Sequence, residues 1–165
     1  MLIFDADGLI KLNRAGVLEL VIQNYKSLVP AAVCGEIVVK GGLRGYDDST
    51  EIALILEGST VKAGPDIAEV DPEIGRSLMG LGAGETQTLH LALRVREHSI
   101  IISDDRRFLG VLSELSIPYL IPSHIILRLA RDGLLSLPES IIALNRLRPF
   151  IRSSDYLEVF EELGE

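Results

Sequence analysis

The chain has 165 residues, of which 47% are hydrophobic, and a formal net charge of −8 at pH 7. This length and composition predict one soluble globular domain over residues 1–165 and exclude a disordered chain. No apolar run reaches the roughly 18 residues that a membrane span needs, and the single cysteine, Cys34, excludes an internal disulfide. Since no signal-peptide pattern follows Met1, we expect a cytoplasmic protein.

Short apolar segments alternate with helical patterns along the first half of the chain. The predicted strands are residues 2–4, residues 27–29 and an extended segment at residues 60–63. The predicted helices are residues 8–24 with a break near Gly16, a helix from Pro30 that ends at Gly41 and Gly42, residues 48–56 and residues 72–79. Each predicted strand is therefore followed by at least one predicted helix.

The same alternation continues after the glycine-rich residues 80–84. The predicted elements are a helix at 84–98, a strand at 99–102, a helix at 106–115, a strand at 118–121 and helices at 123–132, 138–145 and 154–163. Strands that are apolar on both faces and alternate with helices predict an α/β fold, a parallel β-sheet flanked by α-helices, with extra C-terminal helices. The carboxyl ends of all parallel strands meet at one edge of such a sheet, where ligands bind.

Acidic residues occur at positions where an unpaired charge is costly. Asp5 directly follows the first strand, and Asp104 and Asp105 come one residue after the end of a later strand. Glu36 has mostly apolar neighbours three and four residues away, and Glu85 follows the glycine-rich stretch. Except for Glu36, these acids could instead have a local role: Asp5 or Asp7 and Asp104 or Asp105 could each cap a helix, and Glu85 could favour a first turn. Together they predict a cation between close carboxylates, and hard oxygen ligands favour Mg²⁺ or Mn²⁺.

Four segments of the chain resemble, in the same order, the acidic segments of PIN-domain nucleases, in the subgroup of small prokaryotic PIN proteins related to toxin ribonucleases. They are residues 4–12 (FDADGLIKL), 29–38 (VPAAVCGEIV), 82–92 (GAGETQTLHLA) and 101–108 (IISDDRRF). Residues 150–165 are similar to the end of one PIN subgroup. The resemblance covers nearly the whole chain and implies a three-layer α/β/α fold.

The resemblance implies a Mg²⁺- or Mn²⁺-dependent ribonuclease that hydrolyses phosphodiester bonds. Its implied catalytic residues and metal ligands are Asp5, Glu36, Glu85 and either Asp104 or Asp105. Further candidates are Ser103 and Asp7, which stands where the family more usually has Ser or Thr. The implied partners are single-stranded or structured RNA, an antitoxin protein and a second copy of the chain in a homodimer. Candidate contacts to the RNA backbone are Lys11, Arg14, Lys40, Arg44, Arg106 and Arg107.

Two other functions compete with this hypothesis. The segment FDADG also resembles the opening motif of haloacid dehalogenase-like phosphatases, in which Asp5 would be the nucleophile and Asp7 the acid and base. That alternative leaves Glu36 and Glu85 without a role. The second alternative is that the protein is an inactive, PIN-like RNA-binding protein.

Overall fold

The computed structural model describes residues 1–44, 48–57, 62–64, 80–95 and 98–164. Within these ranges, the side chains of residues 38–44, 48 and 62–64 are not described. The predicted helix at 72–79 and the first two residues of the predicted extended segment at 60–63 lie outside the described residues.

The strands of the described part form one parallel sheet in the order β3-β2-β1-β4-β5. They are β1 (Leu2–Phe4), β2 (Ser27–Pro30), β3 (Lys62–Gly64), β4 (Ile100–Ile102) and β5 (Tyr119–Leu120). The central strand β1 pairs Ile3 with Leu28 on one side and with Ile101 on the other. The predicted parallel sheet is confirmed, and the carboxyl ends of its strands share one edge.

Helices connect these strands and extend the chain beyond the sheet. They are α1 (Ala6–Ala15), α2 (Leu18–Asn24), α3 (Ala31–Arg44), α4 (Asp48–Glu57), α5 (Ala83–Val95), α6 (Arg106–Glu114), α7 (Pro122–Arg131), α8 (Leu137–Leu147) and α9 (Ser153–Leu163), with a 3-10 turn at Arg148–Phe150. The predicted C-terminal helices are thus present as α8 and α9.

The sheet is buried on both faces, and its central strand shows why. Ile3 packs on one side with Leu89 of α5 and Phe108 of α6, and all three side chains are inaccessible to solvent. Phe4 points to the opposite side, where Leu9 of α1 and the apolar faces of α7 and α8 cover it. Successive strand residues point to opposite faces, so the apolar run in β1 is buried from both sides. The resulting layers are helix, sheet and helix, as the resemblance implied.

The predicted helix that begins at Pro30 and ends at Gly41 and Gly42 is wrong at both ends. Pro30 is the last residue of β2, and α3 continues through both glycines to Arg44. A glycine costs about 1 kcal/mol in a helix interior. The burial of Val33 and Ile37 in the core anchors α3, and tertiary packing of this kind overrides the local preference of the glycines.

Of two other predicted helix ends, one is confirmed and one is not. The break predicted near Gly16 is confirmed, because Gly16 has a φ of 75° and its N–H donates to the carbonyl of Asn13. The long helix predicted at 84–98 instead ends, in the described part of the chain, at Val95. His98 has a φ of 48°, which is outside helical backbone and leads the chain into β4.

Candidate active site

The parallel pairing of β1 with β4 brings the acidic residues after these two strands to the same edge. Phe4 is in register with Ile102, so Asp5 and Ser103 are the first residues beyond paired positions. The Asp5 N–H donates to the Ile102 carbonyl at 3.3 Å, which continues the ladder to the edge. The sheet therefore places Asp5 beside the segment that contains Ser103 and Asp104.

Asp5 is the most deeply buried carboxylate of this edge, with 3% of its surface exposed. It is the N-cap of α1, and its Oδ1 accepts a hydrogen bond from the Gly8 N–H at 2.6 Å. Its Oδ2 accepts a hydrogen bond from the hydroxyl of Ser103, which is itself fully buried. Both oxygens of Asp5 are thus held in fixed directions.

Burial raises the pKa of Asp5 to about 7, although the hydrogen bonds from Ser103 and Gly8 act in the opposite direction. The charges of Asp7 and Glu85 raise the Asp5 pKa further. These three carboxylates therefore interact electrostatically across the start of α1 and the start of α5. A cation beside Asp5 would favour its ionised form and offset this repulsion.

Gly8 allows α1 to approach β4 closely enough for this arrangement. A Cβ at Gly8 would overlap the carbonyl oxygen of Ile102, a backbone atom that cannot rotate away. The same Cβ would lie 3.1 Å from Asp5 Oδ1. The glycine of the DADG segment is therefore needed for packing as well as for the Asp5 cap.

Lys11 lies between two carboxylates of the same region. Its Nζ is 2.7 Å from Asp104 Oδ2 and 2.8 Å from Asp7 Oδ2, and only 12% of the Lys11 side chain is exposed. Burial lowers the pKa of Lys11, but its hydrogen bonds to Asp104 and Asp7 outweigh burial and raise the pKa above the usual value. The ammonium group is thus a fixed positive charge that holds Asp104 and Asp7 together.

The adjacent acids Asp104 and Asp105 have different environments. The Asp104 side chain is 7% exposed and bound to Lys11. Asp105 is exposed and is the N-cap of α6, since its Oδ1 accepts hydrogen bonds from the N–H groups of Arg107 and Phe108 at 2.9 and 3.0 Å. The second oxygen of Asp105 accepts no hydrogen bond from the described residues.

The remaining two acids come from α3 and α5. Glu85 reaches back over the first turn of α5, and its Oε2 accepts a hydrogen bond from the Gly82 N–H at 2.7 Å. Glu36 lies against the same turn, because a Cβ at Gly84 would be 2.5 Å from Glu36 Oε2. Gln87 joins the two helices, since its Oε1 accepts from the Ala32 N–H at 2.9 Å. Gly84 therefore makes room for a glutamate from the neighbouring helix.

Carboxylate oxygens of this kind are hard donors that suit Mg²⁺ or Mn²⁺. Within the described residues, however, no three His, Cys, Asp or Glu side chains lie close enough to hold one ion. The donor chemistry of these carboxylates fits a divalent ion.

A family model described as a PIN domain matches residues 1–165. The chain belongs to the PIN-domain family. Searches of curated proteins and of solved structures found no significant match. PIN domains are generally nucleases, so membership supports a nuclease-like function and an interaction with nucleic acid. A match over the whole chain does not support the phosphatase alternative for the segment FDADG.

The basic residues predicted to contact RNA make different contacts in this PIN domain. Lys11 is bound by two carboxylates, and the guanidinium of Arg14 lies over the ring of Phe150 at 4.3 Å from its centre. Arg106 and Arg107 are exposed in the first turn of α6, and Arg107 lies against Gly80. The side chains of the other two candidates, Lys40 and Arg44, lie outside the described residues.

Sequence reasoning did not find the contact between Lys11 and the acids of this PIN domain. The ion pair between Asp7 and Lys11 could have been predicted, since residues four positions apart in a helix lie on the same face. The other half, Asp104, is distant in the sequence and becomes a neighbour through the pairing of β1 with β4. Among the described residues of the PIN domain, no helix has both the length and the apolarity to cross a membrane.

Proposed function

We propose that this PIN domain is a Mg²⁺- or Mn²⁺-dependent ribonuclease that hydrolyses phosphodiester bonds. The observation that carries the proposal is the environment of Asp5, a buried carboxylate at the carboxyl edge of the sheet that two further carboxylates repel. The charge of Glu85 in α5 acts on Asp5, and Glu36 of α3 lies against Gly84 in the first turn of α5. Lys11 neutralises charge at Asp7 and Asp104, but no ion pair within the described residues includes Asp5 or Glu85, so a bound cation would stabilise their ionised forms.

In this proposal the ion is held by Asp5, Glu36 and Glu85, together with Asp104 or Asp105. Such an ion would lower the pKa of a water molecule for attack on phosphorus and would neutralise charge on the phosphate. Ser103 and the Gly8 N–H orient Asp5, and Lys11 orients Asp104 and Asp7. The residues of the chain therefore act by positioning charge, and none of them forms a covalent bond to phosphorus.

Asp104 and Asp105 can be separated by their different contacts. Asparagine is as good an N-cap as aspartate, so Asp105→Asn keeps α6 while it removes the charge. Asp104→Asn removes the charge that Lys11 neutralises. If Asp105 is the ligand, Asp105→Asn loses metal-dependent cleavage and retains its stability. If Asp104 is the ligand, cleavage is lost with Asp104→Asn instead.

The experiment that tests the proposal is cleavage of labelled single-stranded RNA with Mn²⁺ and with EDTA. We expect cleavage only with the ion, and a loss of at least about a hundredfold in kcat for Asp5→Asn and for Glu85→Gln. Glu114→Gln is the matched control, because Glu114 is an exposed acid at the end of α6. Wild-type activity in Asp5→Asn would contradict the proposed site.

The same variants distinguish a nuclease from a phosphatase. A phosphatase would use Asp5 as nucleophile and would assign no chemistry to Glu85. It would hydrolyse a small phosphomonoester faster than RNA, bind beryllofluoride at Asp5 and retain full activity in Glu85→Gln. We expect the opposite result in all three measurements, since water and not Asp5 attacks phosphorus in the proposed reaction.

We also propose that the protein has the cellular role implied by its resemblance to toxin ribonucleases. It includes an antitoxin protein as a partner, a homodimer and action in the cytoplasm. The measured mass of the purified protein by light scattering tests the homodimer. Growth arrest on expression, relieved by a co-expressed neighbouring gene product and absent for Asp5→Asn, tests the toxin role.

A further inference from the structure

The start of α9 lies at the carboxyl edge of the sheet, although it is far from the acidic segments in the sequence. Two contacts set the direction of α9 against α7: His124 Nε2 is 3.5 Å from Glu158 Oε1, and Arg131 Nη2 is 2.6 Å from Glu162 Oε2. Both helices therefore run the same way. His124 is near the start of α7, which directly follows β5, so the residues before Glu158 extend beyond that start.

Arg152 is the residue that immediately precedes α9 at this edge. Its Nε donates to Asp155 Oδ2 at 2.7 Å, and the Asp155 side chain is only 8% exposed. The Ser154 hydroxyl donates to the other oxygen of Asp155 at 3.2 Å. Asp155 is thus a buried anchor that fixes one side of the Arg152 guanidinium.

The two terminal nitrogens of the Arg152 guanidinium are not part of the hydrogen bond to Asp155, which is made by Nε. The Arg152 side chain is 43% exposed, and its two terminal nitrogens make no hydrogen bond within the described residues. The hydrogen bond to Asp155 raises the pKa of Arg152, and the charge of Asp104 raises it further. Because α9 starts at the carboxyl edge, Arg152 lies on the edge that contains the candidate metal ligands.

We propose that Arg152 binds a backbone phosphate of the RNA substrate beside the carboxylate edge, and that Asp155 positions it. The inference rests on the proposed ribonuclease function and names a substrate contact for it. A planar guanidinium with two free N–H groups on one side matches a phosphate oxygen pair. A cation is also needed here, since the edge is otherwise rich in carboxylates that repel RNA.

The chain contains a matched control for this arginine. Arg128 Nε donates to Asp132 Oδ2 at 2.8 Å, in the same Nε-anchored geometry, and its side chain is 62% exposed. Asp132 also accepts a hydrogen bond from Tyr25, which lies before β2 at the opposite edge of the sheet. Arg128→Met and Arg152→Met therefore each remove an exposed arginine that is anchored through Nε, at opposite ends of the molecule.

The test measures binding of a labelled single-stranded RNA in EDTA by fluorescence anisotropy, over a range of salt concentrations. We expect Arg152→Met to weaken binding about tenfold and to lower the slope of log Kd against log salt by roughly 0.7. Arg152→Lys should keep the salt slope but bind less tightly than the wild type, since an ammonium cannot make the paired contact. Arg128→Met should bind like the wild type.

Cleavage with Mn²⁺ gives a second measurement on the same proteins. Arg152→Met should raise KM with a smaller change in kcat, and Asp155→Asn should raise KM while it retains the Arg152 charge. Equal RNA affinity for Arg152→Met and Arg128→Met would overturn the inference and leave the ribonuclease intact. RNA binding that depends on Arg152 in a protein without cleavage would overturn only the proposed function. A wild type that neither binds nor cleaves RNA would overturn both.

Discussion

The folded protein disfavours the ionised form of the Asp5 carboxyl group more than the unfolded chain does. The folded protein keeps the Asp5 proton to about pH 7, whereas the unfolded chain releases it near the ordinary value of about 3.9. Between these pH values the folded state binds more protons than the unfolded state. The contribution of Asp5 to the free energy of unfolding therefore falls as the pH rises through this window and levels off above it.

Asp5→Asn should remove this dependence in the metal-free protein. Asparagine can accept the Gly8 N–H through its oxygen and donate to the Ser103 hydroxyl, so both contacts of Asp5 have a replacement. Urea denaturation in EDTA should find the variant more stable than wild type by roughly 2–4 kcal/mol at about pH 8, and little different near pH 4. A variant that is less stable at the higher pH would show that Asp5 is already compensated.

Lys11 should stabilise the apo protein through the two acids that it contacts. Lys11→Met keeps most of the aliphatic packing but leaves Asp104, which is 7% exposed, without its partner. We expect a loss of about 1–3 kcal/mol in the free energy of unfolding. Lys26→Met, at an exposed lysine, should change it by less than about 0.5 kcal/mol. Equal stabilities of the two variants would show that this ion pair is energetically neutral.

At the scale of elements, the close approach of α1 to β4 depends on Gly8, which has no side chain. Gly8→Ala should destabilise the protein by about 1–3 kcal/mol, because the new Cβ meets the Ile102 carbonyl oxygen. Gly35→Ala in α3 should instead stabilise it by about 0.5–1 kcal/mol, since nothing lies within 4 Å of the new Cβ and alanine favours helix. Thermal melting of both variants in EDTA would reveal the opposite signs. A Gly8→Ala protein as stable as wild type would contradict the close approach.

Element positions were predictable where local patterns and packing agree. The strand Leu2–Phe4 has the predicted bounds, and the helix break occurs at Gly16, where glycine adopts a positive φ at low cost. The pair Gly41 and Gly42 misled the prediction, because α3 is anchored by side chains near its start that pack into the core. A glycine is therefore a weak predictor of a helix end when the helix residues before it are strongly buried.

At the scale of the whole molecule, the C-terminal helices share the core of the sheet and should unfold with it. Leu144 of α8 is fully buried in the cluster that contains Phe4 and Leu9. Leu144→Ala should lower the free energy of unfolding by about 2–5 kcal/mol and keep a single transition. Leu157→Ala, at a residue that is 55% exposed, should have a much smaller effect. Two transitions in denaturant would contradict the single domain predicted for residues 1–165.

The sequence by itself determined the class of the fold and the carboxylates at its edge. Hydrophobic periodicity and turn residues are local signals. The alternation of strands and helices therefore predicts a parallel sheet, and the positions of Asp5 and Asp104 just after two strands predict that both acids lie at one edge. The same local reasoning allowed a cap at either Asp104 or Asp105. Only the backbone path after β4 decided that Asp105 caps α6 and that Asp104 faces Lys11.

The tertiary structure alone decided which charges meet. Lys11 and Asp104 are 93 positions apart, and strand pairing brings them to 2.7 Å. Arg152 shows no sign of a role in the sequence, because it reaches the edge through the packing of α9 on α7. Electrostatic energies depend on distance and burial in three dimensions, whereas sequence spacing reports only neighbours along one helix or strand. The sequence could therefore single out the acids one by one as candidates, whereas their charged partners required the fold.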